Sequence, residues 1–433
     1  MKLRSPYDKD IFQLAIPALG TLIAEPLYVL ADTAIVGRIG TNELAGLALA
    51  STVLLTAHSL CVFLAYSTTA IVARALGANN RPDAAHYGVQ TLWLATILGI
   101  VFALGIAASS RQLLQLLGAS GAVEELGLRY LRISLVGFPF LLLSLAAGGF
   151  FNGRKNTRTP LRIALIAAVT NLVIELLLVV GLGYGIGASA LSTVIAQTGA
   201  AIAAVTLNLR WALPLVDSFR PTWNSIVDLM AKGWALVLRT AALRGALTLS
   251  TALATRLGVT EVAGHQIGLQ IWFTYALVLD AVAIAGQALT GTFLGAQATK
   301  EARSVANRMI QLDLVVGVVG MIGIFLLRHQ LAQLFTNSPD VIQQTSLVLA
   351  FVALSQPINS YVFALDGVLI GAGDNNYLGA TMVISMLVFV AASVFAGQAD
   401  LGLPGVWIAL TAMMFSRAFW LWFRFRTNQW MRV

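Results

Sequence analysis

The stretch IFQLAIPALGTLIAEPLYVLADTAI occupies residues 11–35, and its length and apolar character decide the fold class. A helix needs roughly 20 apolar residues to cross the hydrocarbon core of a bilayer, and this run supplies them with only two acids inside it. The charged MKLRSPYDKD before it gives a superficial likeness to a secretory leader. The apolar part of a leader is shorter and is not followed at once by further spans, so the run reads as a retained first helix.

Outward from this stretch, apolar runs of similar length recur between short polar breaks, near 11–35, 45–73, 87–109, 128–151, 160–182, 186–209, 229–256, 263–294, 305–327, 345–371, 377–397 and 403–424. The 433 residues are 58% hydrophobic and 11% charged, with a mean hydropathy of +0.82, a composition no soluble class shows. Strands of a membrane barrel would alternate apolar and polar residues, and these runs do not. The expected fold is an all-α polytopic membrane protein of about twelve transmembrane helices.

A net charge of +8 invites a nucleic-acid reading until the charges are placed. Of the 27 Lys and Arg, 19 fall on one set of loops and tails: Lys2, Arg4, Lys9, Arg74, Arg81, Arg154, Lys155, Arg158, Arg162, Arg210, Arg220, Lys232, Lys300, Arg303, Arg308, Arg417, Arg424, Arg426 and Arg432. Six fall on the other set, and Arg239 and Arg244 lie inside a span. That is the positive-inside pattern of a multi-pass protein of the cell inner (plasma) membrane, with both termini cytoplasmic and no nucleic-acid partner. The single cysteine, Cys61, excludes a disulfide within the chain.

Sliding the chain against itself by 218 residues exposes a repeat. Arg38-Ile-Gly40 falls on Arg256-Leu-Gly258, Glu43 on Glu261, Gly46 on Gly264, Leu76-Gly77-Ala78 on Leu294-Gly295-Ala296, and Pro139 on Pro357. Eight of the 17 glycines between 38 and 187 land on glycine, against one or two expected from composition, so the halves are homologous. With an even number of spans in each, the halves are parallel repeats, related by a pseudo-twofold axis along the membrane normal. The domain reading is a six-helix lobe over 1–209, a cytoplasmic linker over 210–232 and a second six-helix lobe over 233–433, the arrangement of a carrier that alternates access.

A charge near the bilayer centre costs at least ~2.5 kcal/mol, which makes each intramembrane acid a candidate for function. In the first span Thr21, Glu25, Tyr28 and Asp32 are spaced 4, 3 and 4 and share one helix face, with Pro26 placed to bend the helix. The fifth span carries Asn171 and Glu175 at i, i+4, and the sixth carries Ser189, Thr193 and Gln197 at the same spacing. These groups are hard oxygen ligands for Na⁺, at Asp32, Asn171, Glu175 and Thr193, and the same carboxyls in apolar surroundings are proton carriers. Spacing does not choose between the ions.

The second half has its own polar network. Asp280 lies one heptad from Gln287, Gln356, Asn359 and Asp366 are spaced 3 and 7, and Arg239 and Arg244 supply cations for the two acids. Under the 218 offset Asp32 falls on Ser250, Glu175 on Ser393 and Asp366 on Gly148, so the scaffold repeats and the charges do not. His58 and His265 read as satisfied histidines. The chain shows no phosphate-binding loop, no Cys/His metal cluster and no nucleophile motif, so no catalytic residue, metal or cofactor is assigned and an ion gradient is the expected energy source.

The segment Pro26-Leu-Tyr-Val-Leu-Ala-Asp32-Thr-Ala-Ile-Val-Gly37-Arg-Ile-Gly40 resembles the first helix of the multidrug and toxic compound extrusion (MATE) family, especially its DinF-like branch. So do Ala263-Gly-His-Gln-Ile267, the loop Gly153-Arg-Lys-Asn-Thr-Arg-Thr-Pro160, Asn171 to Glu175, and Leu365-Asp-Gly-Val-Leu-Ile-Gly-Ala-Gly-Asp374. The resemblance implies a secondary antiporter that exports small organic, often cationic or amphipathic, compounds in exchange for H⁺ or Na⁺. It implies a monomer, and no enzyme. Asp32 matches the family's first-helix coupling aspartate, and Tyr28, Asn171, Glu175 and Thr193 match the rest of its first-lobe cation pocket. Glu175 stands where aspartate is usual, Arg244 near where one branch carries a cation-binding glutamate, and Asn359 about where that branch has an aspartate. Coupling through the first lobe is therefore the expectation. The alternative is a lipid-linked precursor flippase of the same broad superfamily, for which only Arg239 and Arg244 are available as phosphate ligands.

Overall fold

The structure, a computed structural model, describes residues 5–216 and 218–432, apart from the side chain of Glu25. It contains α1 (Asp8–Val36), α2 (Thr41–Cys61), α3 (Phe63–Gly77), α4 (Arg81–Leu116), α5 (Gly121–Gly153), α6 (Arg158–Glu175), α7 (Ile186–Ala212), α8 (Trp223–Leu257), α9 (Val259–Gly295), α10 (Thr299–Gln333), α11 (Pro339–Ala372), α12 (Asn375–Gln398) and α13 (Gly402–Arg426). Helices α2 and α3 form one span interrupted at Val62, and α6 runs on through a π-helical turn, Leu176–Gly181, so the thirteen helices make twelve spans. Eleven of these are long and apolar enough to cross a membrane among the described residues. The twelfth, α8, has the length, 35 residues, but carries Arg239 and Arg244 near its middle.

Short polar breaks set the helix ends. Asn80 starts α4, its side chain accepting from the Asp83 N–H at 3.1 Å. Gly373, at φ 78°, closes α11 in the left-handed conformation that glycine adopts without a steric penalty. The segment 210–232, read from sequence as a linker, is largely helical: α7 extends to Ala212 and α8 starts at Trp223, leaving only 213–222 between them. Two apolar-poor helix ends continuing beyond the bilayer were invisible to a reading based on apolar run length.

Several of the glycines matched by the 218 offset are where helices touch. A Cβ on Gly149 would lie 2.4 Å from the Ala65 carbonyl oxygen, and one on Gly367 would lie 2.5 Å from that of Ala283. Gly153 stands in the same way against Thr69 and Gly371 against Gln287, at 2.9 and 2.6 Å from the carbonyl oxygens. Each partner pair is itself 218 residues apart. Close backbone approach through small residues is the means by which helices associate in lipid, where burial of apolar surface gives little drive.

The chain divides into two compact units, Ile16–Gly233 on one side and Trp234–Val433 with the residues up to Ala15 on the other. The first lobe as drawn from the sequence thus loses its first residues to the second unit, because Ile11, Leu14 and Ala15 bury themselves against Ala285, Ala288, Leu289, Val305 and Met309. An ion pair anchors them, Arg308 donating to both carboxylate oxygens of Asp8 at 2.7 and 2.9 Å. The other unit makes the same move with the start of α8: Gln90 donates to the Arg220 carbonyl at 3.1 Å and accepts from the Thr222 N–H at 2.8 Å. Gln90 and Arg308 are 218 apart, as are the boundaries after Ala15 and Gly233. The repeat therefore extends to how each half borrows the first turns of a helix.

Candidate functional site: a buried carboxyl pocket in the first lobe

Helix α6 is inverted relative to a soluble helix. Its buried side chains are Asn171 and Glu175, while Ile166 and Val169 are over 60% exposed and face the lipid. The i, i+4 spacing points both polar groups the same way, and the π-helical turn that follows Glu175 widens the backbone there, as such turns do at functional sites.

Against this face α1 sets Asp32, which is 5% exposed. Its carboxylate accepts from the Tyr130 hydroxyl of α5 at 3.2 Å and from the Ser189 hydroxyl of α7. Glu175 is fully buried beside Asp32 and Ser189, but the Ser189 hydroxyl donates its hydrogen bond to Asp32, and neither Glu175 oxygen meets a donor. The Asn171 amide donates to Thr193 Oγ1 at 3.0 Å and to Ser192 Oγ at 3.4 Å, leaving its own Oδ1 buried without a donor. Three buried oxygens without donors, two on the Glu175 carboxyl and one on the Asn171 amide, beside the Asp32 carboxylate make an oxygen-rich and donor-poor pocket.

Tyr28 lies one helical turn from Asp32 on α1, near Tyr130. Thr21 turns its hydroxyl to the Pro17 carbonyl of its own helix at 3.1 Å and does not join the pocket. The Glu25 side chain lies outside the described residues. Pro26 stands within α1, where it removes one backbone hydrogen bond to the preceding turn. Tyr130 and Ser189 are the pocket members that sequence spacing did not single out as site residues. Ser189 was visible in the Ser189, Thr193, Gln197 stripe, whereas Tyr130, next to Arg129 at the end of a span, carried no periodic signal.

In the second lobe the expected network separates into pieces. Asp366 accepts from Arg239 and from Arg417, each at 2.5 Å and each on the same oxygen. The second cation is thus Arg417, which the charge count had assigned to a cytoplasmic segment but which α13 holds 4% exposed; Arg244 instead lies over the Phe273 ring at 5.7 Å. Asn359 donates to Ser355 at 3.2 Å and Gln356 to the Val352 carbonyl at 3.0 Å, both within α11. Asp280 sits near Asp313 of α10, an acid the sequence reading passed over. Where the first lobe has Asp32, the second has Ser250, close to His265 at 3.3 Å.

The MatE family model matches residues 17–177 and again 237–395, one match in each half. The chain belongs to the MATE family. Members named by function are membrane transporters, and the twelve-span body with one such unit per half fits that class. Among MATE relatives, Protein DETOXIFICATION 44, chloroplastic, of Arabidopsis thaliana is 32% identical over 94% of this chain and 80% of its own length. The DNA damage-inducible protein F of Escherichia coli (strain K12) is 27% identical over 94% of this chain and 89% of its own. Among solved structures, a MATE protein in the bent conformation superposes with a TM-score of 0.89 at 21% identity, covering 99% of this chain and 97% of that one. A MOP superfamily transporter from Pyrococcus furiosus reaches 0.91 at 21% identity, covering 100% and 98%. These structural matches share the fold.

Proposed function

We propose that this MATE protein exports small organic, often cationic or amphipathic, compounds in exchange for inward H⁺ or Na⁺, and that the first-lobe pocket holds the coupling cation. The observation that carries the reading is the set of donorless buried oxygens, Asn171 Oδ1 and both oxygens of Glu175, facing the Asp32 carboxylate. Two facing carboxyls cannot both stay ionised away from water, so the pocket takes up a cation or a proton. Asp32 and Glu175 bind it, Asn171 and Thr193 add oxygen ligands, and Tyr130, Ser189 and Tyr28 hold the Asp32 side of the pocket. Binding draws α1 toward α6 and α7 and bends it near Pro26. The cation drives export only because it favours one conformation over the other.

Relatives named for multidrug resistance, NorM of Thermotoga maritima and MdtK of Yersinia pestis, support the substrate class at 23% and 24% identity over 95% of this chain. The protein works as a monomer in the cell inner membrane, and its charge asymmetry supports cytoplasmic placement of both termini. The flippase alternative is weakened because Arg239 is engaged by Asp366. The test is efflux of ethidium, a fluorescent organic cation, from vesicles under a pH gradient or a Na⁺ gradient imposed separately. Wild type should respond to one gradient and Asp32→Asn to neither; gradient-driven efflux that Asp32→Asn leaves unchanged would sink the assignment.

A further inference from the structure

Where α4 starts and α5 and α7 finish, two arginines of the first lobe share one tryptophan ring. The Arg154 guanidinium carbon lies 4.5 Å from the centre of the Trp211 ring and 5.5 Å from the centres of Phe150 and Phe151. Arg81, the first residue of α4, places its guanidinium carbon 5.8 Å from the centre of the same Trp211 ring. Trp211 packs against a buried cluster that includes Val72, Ala84, Val89 and Phe150. The core thus holds the ring, and the ring gathers the two cations.

No carboxylate among the described residues pairs with Arg81 or Arg154. Half-buried Arg154 donates to the Asn208 amide oxygen at 3.2 Å, a neutral acceptor whose own N–H₂ group is tied to the Ala147 carbonyl at 3.1 Å. A guanidinium carries five N–H donors in one plane, of which Asn208 engages one. Aromatic faces attract a cation but carry no net charge to cancel it. The acid closest to Arg81 along the chain, Asp83, accepts from the Asn80 side chain at 2.6 Å as part of the α4 cap.

The 218 repeat shows that the fold does not require this arrangement. In the second lobe Arg81 is matched by Thr299, Arg154 by Ala372 and Trp211 by Gln429. The loop after α11 carries Asp374 where the first lobe has Asn156, and Asp374 neutralises Arg424, accepting from it at 2.5 and 3.1 Å. Asn156 instead donates to the Thr159 hydroxyl at 2.9 Å. Lys155 takes a left-handed φ of 58° where the second lobe has Gly373 at 78°, so the first lobe puts a further cation at a position that glycine fills without strain. One loop supplies an acid to its cation, and its twin adds cations and drops the acid. Arg81 and Arg154 both stand on the basic side of the charge asymmetry, the side whose leaflet presents anionic headgroups.

We propose that Arg81, Arg154 and Trp211 form a binding site for the phosphate group of an anionic lipid headgroup. Planar guanidiniums match phosphate oxygens, and tryptophan settles at the depth of the headgroups. Free phosphate shares that chemistry but has no acyl chains to lie along the helices, so the lipid is the source that a site at the ends of membrane spans favours. The bound headgroup braces the ends of α4, α5 and α7, which each carry one of the three side chains. The site stands independently of the carboxyl pocket.

The experiment is native mass spectrometry of the whole purified protein in detergent, titrated with dioleoylphosphatidylglycerol or with dioleoylphosphatidylcholine, whose choline cancels the phosphate charge, with thermal melting followed in parallel. Wild type should hold phosphatidylglycerol about tenfold more tightly than phosphatidylcholine, and phosphatidylglycerol should raise its melting temperature. Arg154→Gln and Arg81→Gln should each abolish the preference and the rise. Arg81 is exposed, so its replacement should leave folding intact and keeps the test decisive if Arg154→Gln is unstable. Lys300→Gln removes an exposed cation from the same set of loops and should leave both readouts unchanged. Excess inorganic phosphate should fail to displace the lipid. An unaltered preference in both arginine variants, an equal loss in Lys300→Gln, which would mean general surface charge, or displacement of the lipid by inorganic phosphate, which would assign the site to free phosphate, would each overturn the proposal.

Discussion

Replacing Glu175 by glutamine should make the protein more stable and less able to couple. In the wild type both Glu175 oxygens are buried without a donor beside the Asp32 carboxylate, so the pocket is held together only when a proton or cation bridges the pair. Glutamine is nearly isosteric and presents an N–H₂ group that can donate to Asp32, and a hydrogen bond to a charged acceptor is worth about 1.5–3 kcal/mol. Setting that against the lost bridge between the two carboxyls, the net gain is about 1 kcal/mol, roughly a fivefold change in the ratio of folded to unfolded protein. Thermal melting of purified Glu175→Gln in detergent should therefore begin at a higher temperature than wild type, while gradient-driven efflux from vesicles falls to background. That combination is the trade expected where a strained polar site serves function. A lower melting temperature with coupling intact would refute the reasoning, because it would mean that Glu175 is a satisfied structural side chain.

Two further predictions concern the second lobe and the repeat. Asp366→Asn leaves the Arg239 and Arg417 guanidiniums facing each other without their carboxylate, and should cost about 3–5 kcal/mol, whereas Arg239→Met should cost less because Arg417 still neutralises Asp366; chemical unfolding in detergent followed by tryptophan fluorescence separates the two. Gly367→Ala forces a Cβ against the Ala283 carbonyl and should lower the melting temperature and the folded yield, whereas Gly148→Ala, in open space, should leave both unchanged.

Much of this was legible from the order of residues alone, for physical reasons that can be named. A bilayer requires long apolar helices, so run length marked the spans, and close helix contacts require glycine, so the repeat survived as a glycine register at 218. The i, i+4 spacing of Asn171 and Glu175 forced them onto one face whatever the packing, and an acid in an apolar span announces its own cost. Helix ends that leave the bilayer carry no such constraint, which is why α8 begins within what read as a linker.

What the tertiary structure decided is which polar groups meet across helices. Tyr130 and Ser189 join Asp32 from α5 and α7, and Arg417 rather than Arg244 joins Asp366. None of these pairings has a spacing in the chain, since each depends on the rotation and depth at which two separate helices pack. The residues up to Ala15 belong to the second unit for the same reason, their partners lying nearly 300 residues away. Periodicity along one helix is written in the sequence, while the choice of partner between helices is fixed only when side chains interlock.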